Sequence, residues 1–201
     1  MQSKNIRRVT LAALLIGLTG AAQAHTGHGT HSLMEGLSHP FGLDHLLAMV
    51  AVGVWSVSAL PARHAWQGPA VFMLALLGSA AVGMSGVSVP YLEHAIALSV
   101  VLFGLMLATA RSTALPKGLG LGLIAAAASL HGLAHGAETP VTGFVGYAAG
   151  FLLTTAVLHS SGVGLGLVIK RWLAARSGAV LGGLGVATSV AGLYLFGQLA
   201  A

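Results

Sequence analysis

The stretch KGLGLGLIAAAASLHGLAHGAE, residues 117–138, runs about twenty residues between Lys117 and Glu138 without a charge, broken only by Ser129, His131 and His135. An apolar run of that length matches the hydrocarbon thickness of a bilayer when wound as a helix. It is too long for a buried strand, and its polar residues gather at one end. Histidines at 131 and 135 are four apart and Glu138 is three further, so a helix stacks them on one face within about 10 Å of axis. An ionisable side chain in a membrane span costs about 2.5 to 3.5 kcal/mol at the bilayer centre, so such groups mark function more often than packing.

The rest of the chain repeats the pattern. Of 201 residues, 56% are hydrophobic and only 6% charged, with a mean hydropathy of +0.88. That composition cannot cover a soluble surface, and it excludes large soluble catalytic or nucleic-acid-binding modules. Breakers and charges divide the chain into six apolar stretches, at about 43–60, 69–88, 91–110, 116–137, 141–169 and 177–200, with Pro61, Pro69, Pro90, Pro116 and Pro140 at or near the junctions. The fold expected is an all-α integral membrane protein of six transmembrane helices. Glycines at 78, 83, 118–122, 162–166 and 182–185 read as close helix packing. The run GVGLGLVIK at 162–170 lacks the GK[ST] ending of a phosphate loop and lies in an apolar helix, so no nucleotide site is expected.

Residues 1–24, MQSKNIRRVTLAALLIGLTGAAQA, carry Lys4, Arg7 and Arg8 ahead of a short apolar run and an Ala22-Gln23-Ala24 cleavage site. They read as a cleaved secretory signal peptide, leaving residues 25–201 as one six-helix domain that begins at His25. The leader would deliver that N-terminus to the periplasm and place the first, third and fifth connections inside. Those connections hold Arg63, Arg111, Lys117, Lys170, Arg171 and Arg176, while Glu35, Asp44, Glu93 and Glu138 fall at the outer side. The positive-inside rule gives the same orientation: an inner-membrane protein with both mature termini periplasmic. Removing the leader lowers the basic count from nine to six against four acids, so the basicity is no nucleic-acid signal.

Ten histidines and no cysteine leave imidazole and carboxylate as the metal-binding chemistry, a set suited to Ni²⁺, Co²⁺, Zn²⁺ or Cu²⁺. The candidates lie at outer helix ends: His39, Asp44 and His45 in HPFGLDHLLAM (39–49), Glu93 and His94, then His131, His135 and Glu138. His25, with its free amine after cleavage, heads a tract with His28 and His31. His159 lies past the middle of the fifth span, as a buried packing histidine or a second station on an inward path. The plainer alternatives are helix capping for Asp44, a dipole partner for Glu93, and packing for Met34, Met49 and Met84, which could otherwise serve copper. His131, His135 and Glu138 could also hold a catalytic zinc and an activated water, as in an intramembrane hydrolase.

With HPFGLDHLLAM, Glu93, HGLAHGAE and LLTTAVLHSSG (152–162), the chain resembles the HupE/UreJ family of nickel or cobalt permeases. The resemblance implies a secondary permease and not an enzyme. It would import Ni²⁺, with Co²⁺ second, for hydrogenase or urease maturation, with His39, Asp44, His45, His131, His135 and Glu138 handling the metal as transported substrate and no permanent cofactor. The expected partners are the divalent ion and the lipid bilayer, with homo-oligomerisation left open. The chain departs from the family pattern twice. Four residues rather than five separate His39 from Asp44, a register change bearing mainly on His39, and Leu130 stands where the family usually has Phe.

Overall fold

The computed structural model describes residues 33–112, 115–139 and 143–200, all helix and connection with no strand among them. The leader region and the tract of His25, His28 and His31 lie outside the described residues. Helix α1 (Leu33–Ser38) leads through a 3-10 turn (His39–Phe41) into α2 (Leu43–Ala59). There follow α3 (Gln67–Met84), α4 (Leu92–Thr109), α5 (Lys117–Ala137), α6 (Phe144–Trp172) and α7 (Ser177–Leu199). Five of these are long and apolar enough to cross a membrane alone, and the bent pair Leu33–Phe41 plus Leu43–Ala59 makes a sixth. The chain is thus a multi-pass α-helical membrane protein, with boundaries a few residues from those expected.

The first span adds most to expectation. It runs as one helix from residue 43 as expected, but a helical segment bent 72° away precedes it. At 29 residues, α6 is about 44 Å long, more than a hydrocarbon core requires, and its last turn carries Lys170 and Arg171. From α2 onward successive helices alternate direction, so the ends of α3, α5 and α7 and the starts of α2, α4 and α6 share one end of the bundle. Every Lys and Arg among the described residues lies at the other end, and Glu35, Asp44, Glu93 and Glu138 lie at the first.

Packing pairs α3 with α5, α4 with α7, and α6 with both α2 and α1. Several interfaces rest on glycine. A Cβ at Gly136 would strike the Ala80 backbone, one at Gly132 the Leu76 carbonyl, and Gly104 faces Gly185. Close packing does not explain all the glycines, however. Gly78, Gly118, Gly122, Gly164, Gly182 and Gly183 have open space where a Cβ would stand, so the expectation that nearly all serve helix contacts holds only for the others. Large apolar side chains such as Leu74, Val145, Val186 and Val190 point outward, where lipid is as good a solvent as protein. The interior holds Trp55, Phe72, Phe103 and Leu107 together with the polar residues His45, Ser99, His131, His135, Thr155 and His159. Of the three tryptophans, Trp55 is buried, whereas Trp66 and Trp172 are exposed.

Candidate metal centre

The bend that opens α2 builds one side of the site. Pro40 lacks an N–H and suits the first turn of a 3-10 segment. Gly42, with φ −49° and ψ 140°, is extended and stops the turn before Leu46 N–H bonds back to its carbonyl to start α2. Helix α1 is fastened to α6 and not to α2: Thr154 Oγ1 donates to the Leu37 carbonyl at 2.9 Å, and Gly36 and Gly150 bring the two backbones together. His39 is thereby held against a wall of Tyr147 and Phe151, with ring centroids 5.8 Å from each. The spacing change bears on His39 as a rotation only if one helix runs through it. Since the chain turns at Gly42, the structure instead sets His39 4.8 Å ring to ring from His135.

From α5, His131 and His135 turn inward on one face and are fully or almost fully buried. Glu138 caps the helix, beside carbonyl ends whose partial negative charge favours a cation. The stripe read from sequence does not act as one set. His135 and Glu138 group with His39, while His131 groups with Asp44 and His45; the ligand atoms in each group lie within 4.8 Å of one another. The groups touch through His45, whose Nε2 is 2.5 Å from His135 Nε2 and 3.4 Å from His131 Nδ1.

The hydrogen-bond pattern assigns the ring protons. Ser99 Oγ donates to the Ile96 carbonyl at 2.7 Å and lies 3.0 Å from His131 Nε2. A hydroxyl has one proton to give, so His131 Nε2–H donates to Ser99 and its Nδ1 keeps a lone pair facing His45. On His45, Asp44 Oδ1 sits 2.9 Å from Nδ1, off the line of an aligned N–H···O bond, yet its charge favours the proton on that nitrogen. Nε2 of His45 is then also bare. Facing ring nitrogens of this kind are met by a shared proton or by a cation, and carboxylate-oriented imidazoles are the arrangement that holds transition metals. Neutral imidazole and carboxylate with no thiolate among 201 residues fit a borderline divalent ion and not Ca²⁺ or Mg²⁺. An apolar cavity of about 230 Å³ borders His135, lined by Leu76, Ala80, Phe144, Tyr147 and Phe151 among others.

Two expected residues stand apart. Glu93 and His94 share this end of the bundle but neither belongs to the two groups among the described residues. The His94 ring instead packs edge-on against Phe196 of α7 at 5.2 Å and Tyr91 at 5.8 Å. The residue of α4 that reaches the centre is Ser99, six positions past Glu93, and six positions turn a helix by about 240°. His159 lies deeper, in ring contact with Phe72 at 4.8 Å. Ser99, Phe72, Tyr147 and Phe151 escaped the reading of the sequence, since a single hydroxyl or aromatic in an apolar span carries no spacing signal.

A family model described as HupE / UreJ protein matches residues 12–195. Protein HupE of Rhizobium leguminosarum bv. viciae is 41% identical over 158 residues, covering 78% of this chain and 80% of that protein. No solved structure matches. A match over nearly the whole chain, together with that relative, shows that the chain belongs to the HupE/UreJ family, whose members are metal transporters and not enzymes.

Proposed function

We propose that the chain is a secondary permease carrying Ni²⁺, with Co²⁺ as its second substrate, from the periplasm to the cytoplasm, where the metal serves hydrogenase or urease maturation. The single observation that carries the reading is the convergence of His39, His45, His131 and His135 with Asp44 and Glu138 at one end of an apolar bundle. All the lysines and arginines of the described residues lie at the opposite end. That charge asymmetry, with the leader read at residues 1–24, supports an inner-membrane protein whose site faces the periplasm and whose mature termini are both outside. Glu138 and Glu93 draw the hydrated ion to the mouth. Imidazoles then replace its waters, while Asp44 orients His45 and offsets part of the ion's charge. The intramembrane hydrolase alternative falls with the family assignment.

The test is uptake of radioactive nickel by the full chain reconstituted in vesicles, with Co²⁺, Zn²⁺ and Cu²⁺ as competitors. Nickel uptake inhibited most strongly by cobalt is expected, and Asp44→Ala, His131→Ala and His135→Ala should each lose it while staying folded. Wild-type rates in all three variants would end the ligand assignment. Stronger competition by zinc or copper would overturn the choice of ion.

A further inference from the structure

Below the outer cluster, one buried imidazole has no part in the scheme above. His159 is 2% exposed, and its Nδ1 is 2.9 Å from the Thr155 carbonyl one turn back on α6. A carbonyl only accepts, so the ring proton is on Nδ1 and Nε2 carries a lone pair. That nitrogen is buried and has no hydrogen-bond partner among the described residues. Leaving a buried acceptor unmet costs stability, whereas Phe or Leu here would pack on Phe72 at no such cost. An imidazole with a fixed Nδ1–H and a bare Nε2 is, moreover, in the tautomer that ligates metal.

Its position continues the line of the outer site. The Phe72 ring, itself fully buried, lies 5.8 Å from His131 and 4.8 Å from His159. The helix is not slack at this level: Gly53 of α2 faces the His159 carbonyl, and Gly162 faces Val50 so closely that neither has room for a Cβ. We propose that His159 is an inner relay ligand, taking the ion through Nε2 after it leaves His131 on its way toward the cytoplasmic end. This inference rests on reading the chain as a metal importer.

The experiment compares wild type, His159→Phe and His159→Cys, each purified as the full chain and reconstituted in vesicles. Nickel binding at equilibrium and initial uptake rate are measured for each. His159→Phe fills the space without a ligand. It should bind nickel at the outer cluster like wild type, leave the half-saturating concentration unchanged, and lower the maximal rate roughly tenfold or more, the signature of a lost step after binding. The chain has no cysteine of its own, so His159→Cys offers one thiolate. It should recover part of the rate and give a thiolate-to-nickel charge-transfer band absent from the other two proteins. Wild-type uptake by His159→Phe would overturn the relay, as would a folded His159→Cys without the band. If His159→Phe does not fold, the band in His159→Cys decides. If wild type itself carries no nickel, the importer reading fails, while the band still reports whether position 159 ligates.

Discussion

Ser99→Ala removes one oxygen from α4 and touches no proposed ligand atom, yet it should weaken nickel binding. Ser99 is 4% exposed and His131 is fully buried, so water cannot take the place of the lost hydroxyl. With the Ser99 proton spent on the Ile96 carbonyl, the oxygen is the acceptor that keeps the His131 proton on Nε2. Without it, the site has two courses. The Nε2–H can remain unmet in an apolar interior, at about 1–3 kcal/mol, or the proton can move to Nδ1 and cover the lone pair that faces His45. Either course weakens the metal-ready form, and removing an orienting partner of a ligating histidine typically costs about 10- to 100-fold in affinity. Isothermal titration of the purified full chain with Ni²⁺ measures this directly. Ser99→Thr, which keeps the hydroxyl, should bind far more tightly than Ser99→Ala. Equal affinity in Ser99→Ala and wild type would refute the assignment of the ring protons, and equal losses in the alanine and threonine variants would refute the part given to the oxygen.

Uptake should fall as external pH is lowered, because protons compete with the ion for the lone pairs of imidazole and carboxylate; a flat profile into the acid range from vesicles at fixed internal pH would contradict it. Gly136→Ala should lower the thermal stability of the detergent-solubilised protein by an amount equivalent to about 1–3 kcal/mol, the usual cost of overpacking, since its Cβ would meet the Ala80 backbone. Gly122→Ala, which meets nothing, should be neutral or stabilising through its gain of up to about 1 kcal/mol in helix propensity, and matched melting curves for the two would refute the packing account. His94→Phe should keep wild-type nickel uptake, because its ring packs on Phe196 and Tyr91 away from both ligand groups; lost uptake by a folded variant would bring His94 into the site.

The six spans and the separation of charge were legible because each depends on composition over twenty residues, which a bilayer reads in the same way. The pairing of His131 with His135 was legible too, since spacing within one helix is a matter of 100° per residue. What spacing could not convey was the division of that stripe between two neighbours. His45 stands between the two histidines because of how α2 meets α5, a contact between residues 90 apart. The placement of His39 was hidden for a different reason: periodicity ends at Gly42, and beyond a break only tertiary contacts, here Thr154 with Leu37, decide where a side chain goes. Glu93 shares an end with the others and yet falls in neither ligand group among the described residues, because the end of a helix is not a face of it. Ser99 gave no sign because its partner was unknown until the helices were packed.

The break at Gly42 divides the six candidate ligands unequally between two supports. Asp44, His45, His131, His135 and Glu138 hang from α2 and α5, whereas His39 alone stands on the far side of the joint, on a segment tied to α6. A swivel of a few degrees at that joint would change the reach of one imidazole and leave the other five groups where they are. The cluster thus has a removable corner: its grip on a cation could slacken by a single donor without any spanning helix leaving its neighbours, which is the modest concession a carrier must make in order to let go.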